Sequence, residues 1–218
     1  MEIKVLKSIL NANDQVAEQN RQELTRRKIL TINLMSSPGA GKTTLILKTI
    51  EALKGKARIG VIEGDVSSDI DSQKIGQVGA PTVQINTGGG CHLDASMVNE
   101  ALKNLPLDDI DILFIENVGN LICPGGFDLG EHLKVLISST PEGDDKPYKY
   151  PGLFTEANVL VVSKTDLLPY VNFDMPGFLR AVSGINQKVR VFSVSANKEG
   201  SFKEWADWLS GELSCRSI

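Results

Sequence analysis

Residues 36–44 read SSPGAGKTT, and their types and spacing suit one chemistry, the binding of phosphate. The pattern for such a loop is G-x-x-x-x-G-K-[ST]; Ser36 stands in place of the first glycine, while Gly41, Lys42 and Thr43 match. The backbone through Pro38, Gly39, Ala40 and Gly41 is expected to wrap the β-phosphate. The helix entered at Lys42, Thr43 and Thr44 adds the partial positive charge of its N-terminus. Lys42 is expected to neutralise the β/γ oxygens and Thr43 to ligate Mg²⁺. A glycine-rich strand-to-helix turn without a ligand is the plainer alternative.

Two acidic strand ends converge on the same place. The run 57–63 leads into Glu63-Gly64-Asp65, and the run 110–117 into Glu116-Asn117-Val118-Gly119. In α/β sheets ligands bind beyond the carboxyl ends of the strands. Asp65 and Glu116 are therefore the candidate Mg²⁺-shell carboxylates and, with Lys42, the candidate catalytic groups. Gly119 is placed to offer a backbone N–H to a γ-phosphate, so that ENVG reads as a D-x-x-G switch with Glu for Asp. Capping the next helix is the competing use for either carboxylate. Base choice rests on Ser163-Lys164-Thr165-Asp166, a version of N-K-x-D. Asp166 can accept from both the N1–H and the exocyclic amine of guanine, whereas adenine would leave it unpaired. Lys164 is expected to lie along the base and brace the phosphate loop, and Ser195-Ala196 to direct a backbone amide at guanine O6. Together these elements make GTP the expected nucleotide.

Such a site needs a scaffold. Runs 29–35, 57–63, 81–85, 110–117, 132–138, 157–163 and 189–195 read as strands, several apolar without alternation, which suits strands covered on both faces. Helical spacing predicts helices over 42–54, 68–76, 91–104, 173–184 and 200–213. The fold class is therefore α/β, a mainly parallel sheet flanked by helices. Residues 29–218 are expected to form this P-loop domain and residues 1–28 an amphipathic helical extension ending in Arg26, Arg27 and Lys28. The stretch 139–152, STPEGDDKPYKYPG, reads as one long polar loop. A formal charge of −4 leaves no electrostatic footprint for nucleic acid. No apolar run reaches a membrane span, and the N-terminus lacks a secretory signal, so a cytoplasmic chain without membrane or nucleic-acid partners is expected. The three cysteines, at 91, 123 and 215, cannot all pair with one another, which argues against a secreted disulfide framework.

One stretch is left over: TGGGCHLDAS, residues 87–96. Taken together, SSPGAGKT, EGDVSSDID, TGGGCHLDA, ENVGNLICP and SKTD, in this order and spacing, resemble the HypB family of hydrogenase nickel-incorporation GTPases over residues 28–218. That family lies in the signal-recognition/metallochaperone branch of P-loop NTPases. The resemblance implies Ni²⁺ or Zn²⁺ binding at Cys91, His92 and Cys123, a GTP-favoured homodimer, the nickel chaperone HypA as partner and the hydrogenase large subunit as client. Residues 1–28 contain neither Cys nor His, so the N-terminal nickel store of many relatives is not expected. Their helix either docks a partner or packs on its own domain. At the start of a helix, Cys91 would favour its thiolate. Adjacent side chains diverge, so Cys91 and His92 alone make a poor chelate; two copies of the chain could complete a tetrahedral site. The alternative is a buried cysteine beside a capping histidine. Asp94 reads as a helix-entry carboxylate, His132 as structural and Cys215 as incidental. No water-orienting Gln or cis arginine finger is evident, which implies slow hydrolysis. Lys146 and Lys149 are the candidates for reaching across a dimer.

Overall fold

The computed structural model describes residues 4–66 and 70–216. All seven expected strands form: β1 (Leu30–Ser36), β2 (Ile59–Asp65), β3 (Thr82–Asn86), β4 (Ile112–Glu116), β5 (Leu133–Ser139), β6 (Val159–Ser163) and β7 (Arg190–Ser193). They make one sheet in the order β3-β2-β4-β1-β5-β6-β7, with every pairing parallel. The chain fills the sheet to one side of β1 as far as β4 and then crosses to the other with β5. Strand β1 thus sits at the reversal of strand order, where open α/β sheets hold their ligands.

The helices are α1 (Lys4–Arg26), α2 (Lys42–Ala52), α3 (Ile70–Gln77), α4 (Ala95–Leu102), α5 (Lys146–Lys149), α6 (Pro151–Glu156), α7 (Met175–Ile185) and α8 (Lys203–Arg216). On one face of the sheet, Leu30, Ile32 and Leu34 of β1 share a core with Leu45 and Ile46 of α2 and Trp205 and Leu209 of α8. The Trp205 indole N–H donates to Thr49 Oγ1 at 2.8 Å, so its polar edge is satisfied inside that core. The other face is covered in two parts. Leu24 of α1 and Val98 and Ala101 of α4 pack on Ile62, Leu113 and Ile115. Phe154 of α6 and Phe178 of α7 pack on Leu136, Leu160 and Val162. Strand alternation sends Asn33 away from the Leu30, Ile32 and Leu34 side, yet it is fully buried.

Several expectations change. The helix predicted over 91–104 starts only at Ala95, with Asp94 as its N-cap accepting from Met97 N at 2.8 Å. Cys91 therefore lies outside the helix and gains nothing from its dipole. Segment 139–152 is folded rather than a long loop. A 3₁₀ turn at Thr140–Glu142 is closed by a capping box between Ser139 and Glu142, and α5 and α6 follow with Pro147 and Pro151 in their first turns. Proline costs little there because the missing N–H had no helical partner. The predicted start of the helix over 68–76 falls partly at residues 68 and 69, outside the described residues.

Helix α1 packs on its own domain. Ala17 and Leu24 are fully buried, and the Asn20 amide donates to the carbonyls of Ala95 at 2.9 Å and Leu129 at 3.1 Å. Arg21 Nη2 meets both carboxylate oxygens of Asp128 at 2.6 Å. The packing of Val5, Leu6, Ile9 and Leu10 lies outside the described residues. Among the described residues, no helix is long and apolar enough to cross a membrane.

Candidate nucleotide and metal site

Strand β1 runs into the phosphate loop, and Gly41 turns it into α2. Its φ of 106° is left-handed, where a side chain would be strained. Lys42 is buried, with Nζ 3.3 Å from Ser36 Oγ, which itself donates to Ser37 O at 2.7 Å. The serine at the first glycine position thus holds the lysine at the loop mouth. The SKTD segment grips the loop from the far side. Ser163 Oγ donates to Ala40 O at 2.6 Å and Lys164 Nζ to Gly39 O at 2.7 Å. From the ENVG side, Gly119 backs onto Pro38; a Cβ there would stand 2.9 Å from the Pro38 N and Cα, backbone atoms that cannot yield. Thr43 and Thr44 follow in the first turn of α2, Thr44 exposed.

Strands β2 and β4 place their carboxylates side by side, with Glu63 opposite Glu116. Thr43 Oγ1 donates to Glu116 Oε1 at 3.0 Å, while Glu116 Oε2 is buried without a hydrogen-bond partner. Burial pushes the Glu116 carboxyl up to about 7, although Lys42 and Thr43 pull the other way. Glu63 is also pushed up to about 7, chiefly by burial and further by Glu116, while a 3.0 Å bond from Ser72 Oγ opposes the rise. Glu63, named in the sequence at the end of the run 57–63, was not counted among the candidate ligands. Its signal was the i, i+2 spacing with Asp65, which places both on one face once β2 extends to Asp65. The hydroxyl of Thr43 and the unpartnered oxygen of Glu116 are the hard donors a small divalent cation prefers.

At the base end, Asp166 accepts from Ser195 Oγ at 2.6 Å and from Asn197 Nδ2 at 2.8 Å, and these two bonds hold it below the usual carboxylate range. Thr165 N donates to Val194 O at 3.2 Å, joining SKTD to the end of β7. The Ser195 N–H is taken by Ser201 Oγ at 2.7 Å; Ala196 is exposed beside it. Asn197, one residue past the expected SVSA element, is a second omission.

Between β3 and α4 the chain turns at Gly88 and Gly89 and bends at Cys91 and His92. The bends undo the divergence expected of adjacent side chains: Cys91 Sγ lies 3.5 Å from His92 Nδ1. Cys123 joins them, and the three donor atoms lie within 4.8 Å of one another in a single chain. His92 caps no helix; it stacks on Phe127 with ring centroids 3.9 Å apart. Cys91 is exposed and Cys123 half-buried. The neighbouring Cys91 thiol, with some help from burial, pushes the Cys123 thiol above its usual range. Two sulfurs and one imidazole suit a borderline-soft divalent metal. The loop is tied to β2, because Thr87 N donates to Asp65 O at 2.9 Å. His132 lies elsewhere, its Nδ1 accepting from Thr31 N at 3.0 Å and its Nε2 2.9 Å from Thr25 Oγ1. Cys215 is an exposed free thiol.

Comparison with known proteins agrees with this geometry. Residues 30–193 match the family model described as CobW/HypB/UreG, nucleotide-binding domain. The hydrogenase maturation factor HypB of Escherichia coli K12 is 47% identical over 201 residues, spanning 92% of this chain and 69% of that protein. The probable hydrogenase maturation factor HypB of Methanocaldococcus jannaschii is 41% identical, spanning 95% of this chain and 94% of that one. Among solved structures, HypB from Archaeoglobus fulgidus superposes with a TM-score of 0.88 at 39% identity, covering 94% of this chain and all of that one. HypB from Helicobacter pylori, solved in complex with nickel, gives 0.89 at 32% identity, covering 93% and 95% of the two chains. The chain belongs to the HypB hydrogenase-maturation branch of the CobW/HypB/UreG family and is a P-loop GTPase.

Proposed function

We propose that this GTPase is a nickel metallochaperone in which the bound nucleotide sets the geometry of the Cys91, His92 and Cys123 site. The observation that carries this reading is the gathering of the three donors in one chain, on two segments of which one is hydrogen-bonded to Asp65 and the other continues from Glu116. One segment leaves β3 and is held to the end of β2 by the bond from Thr87 N to Asp65 O, and the other runs from Glu116 to Cys123. A shift of either carboxylate-bearing strand end therefore alters the sulfur and nitrogen spacing. Nickel is the cargo on this reading, and the nickel complex of the Helicobacter pylori relative supports the choice.

In the nucleotide site, Lys42 and the amides from Gly39 to Thr44 hold the phosphates and Gly119 faces the γ-phosphate. Asp166 accepts from guanine, displacing the bonds it now takes from Ser195 and Asn197, and Ala196 offers the amide toward O6. Thr43, Asp65 and Glu116 would hold Mg²⁺, whose charge offsets that developing on the phosphate oxygens. Hydrolysis is slow on this reading, since no arginine finger or water-orienting glutamine is evident in the sequence. Lys146 and Lys149 are both paired with Asp145, so a role across a dimer requires breaking those pairs. The reading further includes a GTP-favoured homodimer, the chaperone HypA as nickel donor, the hydrogenase large subunit as client and a cytoplasmic location. Zn²⁺ competes for the same donors. Residues 29–218 act as the GTPase domain, with residues 1–28 as a helical extension.

The test measures nickel binding and oligomeric mass together, with GDP and with a non-hydrolysable GTP analogue, for wild type and Cys91→Ala. Support is a metal site that changes with the nucleotide and disappears in the variant. Metal binding indifferent to both would demote Cys91 and His92 to structural residues and leave a GTPase of unknown client.

A further inference from the structure

Asn117 follows Glu116 directly and is fully buried. Its side-chain oxygen accepts two backbone N–H groups from segments far apart in sequence, Leu93 at 3.1 Å and Val118 at 3.0 Å. Its Nδ2 donates to Asn33 Oδ1 at 3.3 Å, and Asn33 Nδ2 donates to Glu131 Oε1 at 3.3 Å. Glu131 Oε2 accepts from Leu129 N at 2.8 Å. The Asn117 N–H donates to Leu34 O at 3.1 Å, fixing its backbone to the strand that carries the phosphate loop. One amide thus joins three places. Val118 precedes Gly119, which rests on Pro38; Leu93 follows His92; and the 127–131 loop carries Phe127, on which His92 stacks.

From this arrangement we infer that Asn117 is the positioning residue that transmits nucleotide state to the metal loop, an inference that rests on the nucleotide-controlled metal site proposed above. Its logic is that of a shared acceptor in a dry interior. When the 117–119 segment shifts on the γ-phosphate, the Leu93 N–H either follows the carbonyl oxygen or is left unpaired, and an unpaired buried donor is the costlier outcome. Leu93 is well placed to respond. Its side chain is fully buried and fills the space over Gly64, where a Cβ would come within 2.8 Å of it. Leu93 therefore couples to the carboxylate strand β2 as well. Movement of Leu93 carries His92 and Cys91, while Cys123 moves with the 117–123 segment, so the donor spacing follows the bond between the two loops. Asn117 is fully buried and acts through Leu93 and Val118.

The experiment measures the Ni²⁺ dissociation constant with GDP and with a non-hydrolysable GTP analogue, for wild type, Asn117→Ala and Asn33→Ala. Circular dichroism and nucleotide affinity report on the fold. Allosteric couplings between two ligands usually span about 5- to 150-fold, and the wild-type ratio of the two constants is expected in that range. In Asn117→Ala the ratio collapses to about 1 while nickel still binds in both states, a loss of coupling without loss of either ligand. Asn33→Ala, which frees the Asn117 amide to rotate, gives an intermediate ratio. A folded Asn117→Ala with the wild-type ratio overturns the inference. Should that variant not fold, an unchanged ratio in Asn33→Ala overturns it instead. A wild-type ratio of 1 removes the coupling itself, and that failure of the proposed function is recognised before any substitution is made.

Discussion

The phosphate loop and the metal loop are built on opposite terms. Around the phosphate loop, Ser36, Lys42, Glu116 and Ser163 are buried, and Ser163 and Lys164 hold two successive loop carbonyls. At the metal loop Cys91 is exposed, and the position of His92 depends on one stacked ring and two backbone bends. Fixed donors suit a site that stabilises charge as it develops, because no reorganisation is then needed during reaction. On the proposed reading the second is a cargo site, which must release as well as bind, and exposed donors on bends can reposition. The two designs meet at the short path from Glu116 to Cys123. On the proposed reading, a rigid site there drives a compliant one.

Four changes test that contrast, in falling order of effect. Lys42→Ala strikes the rigid site and should lower single-turnover phosphate release by about 10²-fold or more, the scale of losing one preorganised charge-stabilising donor. Unchanged release would place the charge stabilisation elsewhere. Cys123→Ser strikes the compliant site and should weaken nickel binding by at least about 10-fold. Loss of mere supporting contacts around metal ligands already costs that much. Its thermal midpoint should barely move, because Cys123 is only half-buried.

The third is a pH effect. Glu63 and Glu116 titrate near 7 in the folded protein, against about 4.5 when unfolded. The folded state therefore holds protons that the unfolded chain has lost. The stability associated with these groups is full below pH 4.5 and is lost as pH rises to about 7. In nucleotide-free protein the melting point of Glu116→Gln should gain on wild type between pH 5 and pH 7.5; a constant gap contradicts the buried-acid account. The smallest effect is expected where α1 packs behind the metal loop, against Ala95 and Leu129. Asn20→Ala leaves the Ala95 and Leu129 carbonyls without their amide donor and should cost about 1–3 kcal/mol in urea unfolding, with phosphate release unaltered.

Sequence made the rigid half readable, since phosphate chemistry demands glycine, lysine and hydroxyl at fixed spacing beside a strand and a helix. The seven strands could be read for a related reason, as β-rich runs dense in Val, Ile and Leu. The compliant half was harder to read. The bends at Cys91 and His92 and the approach of Cys123 from another loop depend on tertiary contacts, so the closeness of three donors in one chain was not anticipated. Glu63 and Asn117 escaped because each acts through a partner on a neighbouring strand or loop. Segment 139–152 was misread because its charged and proline-rich composition also suits short helices whose prolines occupy first turns.

On the proposed reading, one chain holds the metal through Cys91, His92 and Cys123, and nucleotide alters this site. The most direct test of that reading is a nickel titration followed by sulfur-to-nickel charge-transfer absorption, first with GDP and then after exchange into a non-hydrolysable GTP analogue. A thiolate band is expected that is lost in Cys91→Ala and Cys123→Ser and that changes in intensity or position on exchange. Nickel binding without a thiolate band, or with a band that ignores the nucleotide, would contradict it.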